Sequence, residues 1–219
     1  MRVLIFVVFA ALTLQSCVRS YNDVGLYEKT GQMKPITIVM PVINRVEGLD
    51  LTWDVSRELT DEIRRRVFDS SKLYLLRENG SNELAKTLLV ANPKEISPAT
   101  LNRFGASEFV VVSELIEQNQ KSYGLSMHGD KPSRADEIGA VLSLAMRVRV
   151  IDRRSVEPKV VLQEILEYDH IISKAYLSVD YVKTHWGTEL YQNTPMGLAH
   201  NRLVRELVSH IEAYIVAAK

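Results

Sequence analysis

The sequence predicts an α/β fold: one domain on a mixed sheet of about five strands, with helices packed on it, preceded by a signal peptide and a short tether. Three observations carry this. An apolar, β-branched run at 35–43 is followed by a helix-period stretch at 53–68, the alternation of a buried strand with a helical crossover. Three strand-like runs, 108–117, 138–152 and 160–171, then follow with no helix between them, as in an antiparallel meander. A long amphipathic helix, 197–218, closes the chain and needs a sheet face to cover its apolar stripe. The expected element order is β-α-β-α-α-β-β-β-α.

The elements are justified in turn. In 35–43 (PITIVMPVI) the apolar residues are continuous rather than alternating, which suits a strand covered on both faces. Over 53–68, Val55, Leu59, Ile63 and Val67 form one stripe, and Thr52 or Asp50 can cap the start. Asp61–Arg65 and Glu62–Arg66 are i,i+4 pairs on its outer face, and Arg64 to Arg66 read as a solvated face near its end. Asp50, Asp54 and Glu58 could be drawn as a metal patch, but acidic residues beside a helix N-terminus account for them better. Residues 72–77 read as a short strand and 81–90 as a short helix with Leu84, Leu88 and Leu89 inward. Ser97-Pro98 starts another helix, and Gly105 closes it in the left-handed region. In 138–152, Leu142, Leu144, Met146, Val148 and Val150 alternate with a more polar face. Arg147 and Arg149 on that face are expected to pair with Glu164 and Glu167 or similar neighbours, as ordinary sheet-surface chemistry. Residues 118–137 and 173–195 show no period and read as long irregular stretches.

The first seventeen residues (MRVLIFVVFAALTLQSC) set a basic Arg2 before an apolar run, 3–14, broken only by Thr13. Twelve helical residues rise about 18 Å, against about 30 Å of hydrocarbon core, so a cleaved signal fits better than a permanent span. Leu14-Gln15-Ser16-Cys17 resembles the lipobox of bacterial lipoproteins; Leu14, Ser16 and Cys17 match, and Gln15 departs from the small or β-branched residue preferred there. The resemblance implies cleavage before Cys17 and acylation of that cysteine. It also implies outer-membrane sorting, since Val18 stands where an aspartate would signal inner-membrane retention. The organisation expected is a signal peptide at 1–16, a lipidated, flexible tether at 17–34 and a domain at 35–219.

Removing 16 of 219 residues leaves 203, enough for one sizeable core. The whole chain carries 27 basic and 27 acidic residues, and this balance gives no footprint for nucleic acid. Cys17 is the only cysteine, so a lipidated chain has no disulfide. The histidines (His128, His170, His185, His200, His210) show no zinc spacing. There is no nucleophile elbow or glycine-rich phosphate loop. Ser126 and His128 sit close together, but such a pair is common. No catalytic set, metal or cofactor is therefore expected.

Ile38, Val39, Pro41 and Val42 stand where an "I-A-V-x-P-F" strand stands in a group of Gram-negative envelope proteins. Leu75-Leu76-Arg77 with Leu84 and Leu88, and the run from Phe104 to Val111, are similar to later segments of that group. It comprises the lipoprotein activator of penicillin-binding proteins, the curli secretion lipoprotein and the N-terminal domain of the Tol-system translocation protein. The resemblance implies this fold in element order over 35–217 and carries no binding residue across. The chain lacks the activator's proline-rich tether and the curli pore's amphipathic hairpins.

The stretch 176–191 is the candidate partner-binding segment, with Tyr176, Tyr181, His185, Trp186 and Tyr191, because aromatics are enriched at interfaces. The same residues could instead plug the sheet edge beneath a long loop. The function expected is a non-enzymatic interaction module, held at the outer membrane through Cys17, facing the periplasm and binding an unidentified envelope protein. A regulator or scaffold of cell-envelope or cell-wall assembly fits that description. A ring-forming structural or secretion subunit, and a hydrolase using His128 or His185, are the alternatives.

Overall fold

Pro41 divides the first apolar run. In the computed structural model, which describes residues 25–46, 51–76, 81–92, 95–122 and 138–219, this run forms β1 (Ile36–Val39) and the two-residue β2 (Ile43–Asn44). Both lie parallel to β4 (Phe109–Ser122), with Val39 opposite Val111 and Ile43 opposite Glu114. Four positions on one side thus span three on the other, a bulge at the residue that has no N–H for the ladder. The Val42 amide donates to Thr60 Oγ1 at 2.8 Å instead. The sheet therefore has six strands rather than five. Its order is β3 (Tyr74–Leu75), β1, β4, β5 (Ile138–Asp152), β6 (Lys159–Ser173), with β2 beside β4. β1 is parallel to β3 and β4, and β4, β5 and β6 form the expected meander.

Helices cover both faces. α1 (Val55–Ser70) and α4 (Pro195–Ala218) bury Leu59, Ile63, Leu203, Leu207 and Ile211 against one face, with Val111, Leu144 and Met146. α2 (Asn82–Val90) and α3 (Pro98–Asn102) cover the other, around Ile38, Met40, Val110 and Val112. The two cores take alternate residues of the same strands, as the pleat requires. Each fully buried Leu or Ile contributes about 1.5–3 kcal/mol. α1 begins two residues later than the periodicity suggests because Asp54 is the cap, accepting from the amides of Ser56 and Arg57. Ser97 caps α3, and Gly105 sits at φ +52° in the turn that follows.

Some expectations are corrected. β4 continues to Ser122, so 118–122, expected as loop, pair with β5 as far as Ser122–Ala140. A register shift near Ile116 turns Gln118 inward, where it is buried and its amide reaches Met196 Sδ at 3.7 Å. Ser126 and His128 lie outside the described residues. The arginine pairs also differ. Arg147 faces Ile165 and Arg149 faces Gln163, while Glu164 points to the opposite side of the sheet and meets His210 at 2.6 Å. Arg147 pairs with the buried Glu114 of β4 at 2.9 Å. Arg149 is buried and donates to the carbonyls of Leu88, Leu89 and Ala91 at 2.7–3.0 Å, closing the C-terminal end of α2. On α1, Glu62 pairs with Arg66 as expected, but Asp61 pairs with Arg57, and Arg65 with Glu62 and Asp69. Arg64 donates to the Val39 carbonyl at 2.7 Å, so the arginine run is not merely a solvated face.

Residues 26–34, expected as part of a flexible tether, are folded onto the domain. Tyr27 bridges Met33, the Lys34 amide donates to the Leu26 carbonyl, and Lys219 Nζ reaches the Met33 carbonyl. Residues 1–24, which hold the expected signal peptide, Cys17 and the rest of the expected tether, lie outside the described residues. Among the described residues, no helix is long and apolar enough to cross a membrane.

Candidate functional site

Two helix starts build the site. Asp54 fixes the entry of α1 and places Glu58 one turn inside it, on the buried side. Thr194 caps α4 by accepting from the Gly197 amide at 3.1 Å, with Pro195 in the first turn where its missing N–H costs nothing. The Thr194 hydroxyl also donates to the Tyr191 carbonyl at 2.7 Å, which ties the preceding 3₁₀ turn (Tyr191–Asn193) to the helix. A side chain at position 197 could not coexist with this arrangement, because a Cβ there would lie 2.1 Å from the Tyr191 carbonyl oxygen. His200, just beyond, then faces α1.

The result is a buried polar cluster. Glu58 Oε1 accepts from the Tyr191 hydroxyl at 2.5 Å and from His200 Nδ1 at 2.8 Å. Glu58 Oε2 accepts from Trp53 Nε1 at 2.8 Å. Glu58, Tyr191 and His200 are each 5% exposed or less. Burial pushes the Glu58 carboxyl up, but the opposing charge of His200 and the hydrogen bonds from His200, Tyr191 and Trp53 outweigh it, so its pKa lies below the ordinary value. The Tyr191 phenol is pushed far up, first by burial and then by the Glu58 charge, and stays a donor. Trp53 meets the Tyr191 ring edge-on at 5.4 Å and the Tyr181 ring, tilted, at 6.2 Å. Burial also raises the Tyr181 phenol.

A cleft of about 260 Å³ opens beside this cluster, lined by Glu58, Glu62, Trp186, Glu189, Tyr191 and His200 among others. Nδ1 faces the carboxylate, so Nε2 is the ring nitrogen of His200 that the cluster leaves over. That atom is buried and without a hydrogen-bond partner. A hydroxyl or thiol bonded to Nε2 would complete a nucleophilic triad, and none is placed there among the described residues. Nor do they hold a group of three His, Cys, Asp or Glu side chains able to bind a metal.

The structure divides the five aromatic-segment candidates. Tyr191 is buried, and Tyr181 and Trp186 pack partly buried against the main core, so these three belong to the packing around Glu58. His185 is half-buried and bonded through Nδ1 to the neighbouring Trp186 carbonyl at 2.7 Å. Tyr176 stands apart, 58% exposed, in a second 3₁₀ turn (Lys174–Tyr176). Sequence reasoning missed Glu58 as a network residue, and missed Trp53 and His200. The available signal was position. Glu58 lies three residues after Val55, and His200 three before Leu203, so each falls on an apolar helix stripe.

A model for a family of unknown function (DUF7499) matches residues 24–219. The hypothetical protein CT253 from Chlamydia trachomatis has a solved structure at 32% identity and a TM-score of 0.70. The match covers 84% of this chain and 99% of that one. The lipoprotein GNA1162 from Neisseria meningitidis is 12% identical with a TM-score of 0.39, covering 80% and 96%. Protein XCC0632 from Xanthomonas campestris is 9% identical with a TM-score of 0.45, covering 85% and 87%. No curated protein matches the sequence.

Proposed function

The chain belongs to DUF7499, a family of unknown function, and from that premise we propose that it is a lipid-anchored protein of the bacterial envelope, a non-enzymatic module that binds an envelope protein. Leu14, Ser16 and Cys17 support the anchor, and Val18 supports the outer membrane, facing the periplasm. A regulatory or scaffolding role in envelope assembly is what the short motifs at Ile38–Val42 and Phe104–Val111 imply by resemblance. The hydrogen bonds of Glu58 with Trp53, Tyr191 and His200 tie Tyr191 of the aromatic segment to α1.

The observation that carries the binding role is the distribution of exposed apolar side chains. Of thirteen large ones among the described residues, five fall within 176–198: Tyr176, Leu177, Val182, Leu190 and Leu198. Tyr181, Trp186 and Tyr191 of the same segment pack with the main core. Exposed apolar side chains concentrated in one segment suit partner contact.

Photocrosslinking in intact cells tests this reading. A photoreactive residue at 182 or 190 is expected to capture the same discrete protein, and one at 156, fully exposed at the β5–β6 turn, is expected to capture none. Equal capture from all three positions, or none from 182 and 190, would overturn it.

A further inference from the structure

We propose that the cavity beside the folded segment 26–34 binds the phosphate of a phospholipid headgroup. The cavity, of about 580 Å³, is lined by that segment from one side and by Ser71, Lys72 and Val216, at the ends of α1 and α4, from the other. Its size falls within the range of about 300–1,000 Å³ usual for small ligands. Three of the lining residues are lysines: Lys29, Lys34 and Lys72. Lys34 carries the proposal. It is 6% exposed, yet its ammonium has no hydrogen-bond or ion-pair partner among the described residues. Nor is its Nζ one of the enclosed unpartnered atoms, so the ammonium opens on the cavity that Lys34 lines. A charge taken largely out of water without a counter-charge is costly, and an anion in the cavity would supply one.

The neighbouring charges leave that role to a ligand. Lys72 is answered by the buried Glu212 at 2.9 Å. The carboxylate in the lining, Glu28, lies 4.0 Å from Lys219 Nζ and accepts from the Thr30 hydroxyl at 3.3 Å. Lys29 is exposed and, like Lys34, has no ion-pair partner among the described residues. Two unanswered ammonium groups thus line one cavity. Each is a point charge with three donors, which suits the tetrahedral oxygens of a phosphate, whereas a planar carboxylate is best met by the fork of an arginine. Tyr27 and Val216, 61% and 49% exposed, add apolar surface to the same cavity, which a lipid would use and a free ion would not. The lipid source rests on the anchor proposed above. Gly25, also in the lining, follows Cys17 by eight residues, at most about 29 Å of extended chain. A chain acylated at Cys17 therefore keeps the cavity within reach of the headgroup layer.

The test uses the full chain in a non-ionic detergent, with calorimetry and the ε-methylene resonances of Lys34 as readouts. Glycerophosphoglycerol, a soluble headgroup diester, is the probe, and inorganic phosphate and glycerol are compared with it. Saturable binding of the diester that shifts the Lys34 resonances is expected, with glycerol inert and inorganic phosphate no tighter. Lys34→Met, of similar length and without the charge, is expected to weaken the diester at least about tenfold. Lys29→Gln, an exposed substitution, is expected to weaken it about threefold. Where Lys34→Met does not fold, Lys29→Gln and the Lys34 resonances of the wild type decide. No saturable binding, tighter binding of inorganic phosphate than of the diester, equal binding of glycerol, or full affinity in a folded Lys34→Met would overturn the proposal. The anchor reading fails separately, because acylation of Cys17 is read without the cavity and headgroup binding in detergent needs no acyl chain.

Discussion

Glu58 Oε1 lies 2.8 Å from His200 Nδ1, a contact that spans 142 positions of sequence and joins α1 to α4 inside the protein. Neither residue gains from burial on its own, since an isolated buried charge costs several kcal/mol. Glu58 is tolerated because Trp53, Tyr191 and His200 all donate to it. The cluster therefore behaves as a unit, and its parts can be tested as one.

Glu58→Ala takes the acceptor from buried Tyr191 and His200 and from half-buried Trp53, and is expected to destabilise the protein by about 3–5 kcal/mol. Glu58→Gln keeps one carbonyl acceptor and is expected to cost about 1–3 kcal/mol. Urea unfolding with an unchanged slope reads both. A loss below about 1 kcal/mol for the alanine variant would show that the cluster is not a unit.

The network also fixes two pH dependences. The Glu58 carboxyl titrates below its ordinary value of 4.5 in the folded protein. Its contribution is thus present above that value and is lost as the pH falls through the folded one. The stability gap between wild type and Glu58→Gln should narrow on acidification below about pH 4.5. A gap that is constant down to pH 3 would contradict the assignment. Tyr191 is raised, so its contribution is present below pH 10 and lost as the pH rises further. Tyr191→Phe should therefore fall less steeply than wild type above pH 10.

Gly197→Ala places a methyl 2.1 Å from the Tyr191 carbonyl oxygen, a backbone atom that cannot swing away. The expected cost is at least about 3 kcal/mol, with loss of the near-ultraviolet signal from Trp53 and Tyr191. Gly187, with φ +92° and open space around it, should lose only about 1–2 kcal/mol on the same change. Equal losses at the two positions would argue against the close approach.

Arg149→Met removes the donor to three carbonyls at the end of α2. A loss of about 2–4 kcal/mol is expected, with hydrogen exchange rising first in α2. Arg147→Met should cost less than about 1 kcal/mol, because Arg45 still pairs with Glu114. The opposite ranking would refute the role given to Arg149.

Periodicity revealed the helices and the meander because burial repeats every 3.6 or two residues. It could not reveal β2, since the effect of Pro41 depends on where β4 lies. The extension of β4 to Ser122 was hidden because paired polar residues carry no apolar signal. The partners of Arg147 and Arg149 depend on register, and a strand's two faces differ by one position. The aromatic segment was visible by composition, but only the fold separates Tyr176, at the surface, from Tyr191, which bonds Glu58. Glu58 and His200 are far apart in sequence, so their meeting is set by helix packing alone.

Cys17 carries the central claim, and its substitution by serine tests it most directly. In cells fed labelled palmitate, the wild-type chain should incorporate label and fractionate with the outer membrane. Cys17→Ser should incorporate none and leave the membrane fraction. Label retained by Cys17→Ser, or a wild-type chain that is unlabelled and free of membranes, would contradict the account.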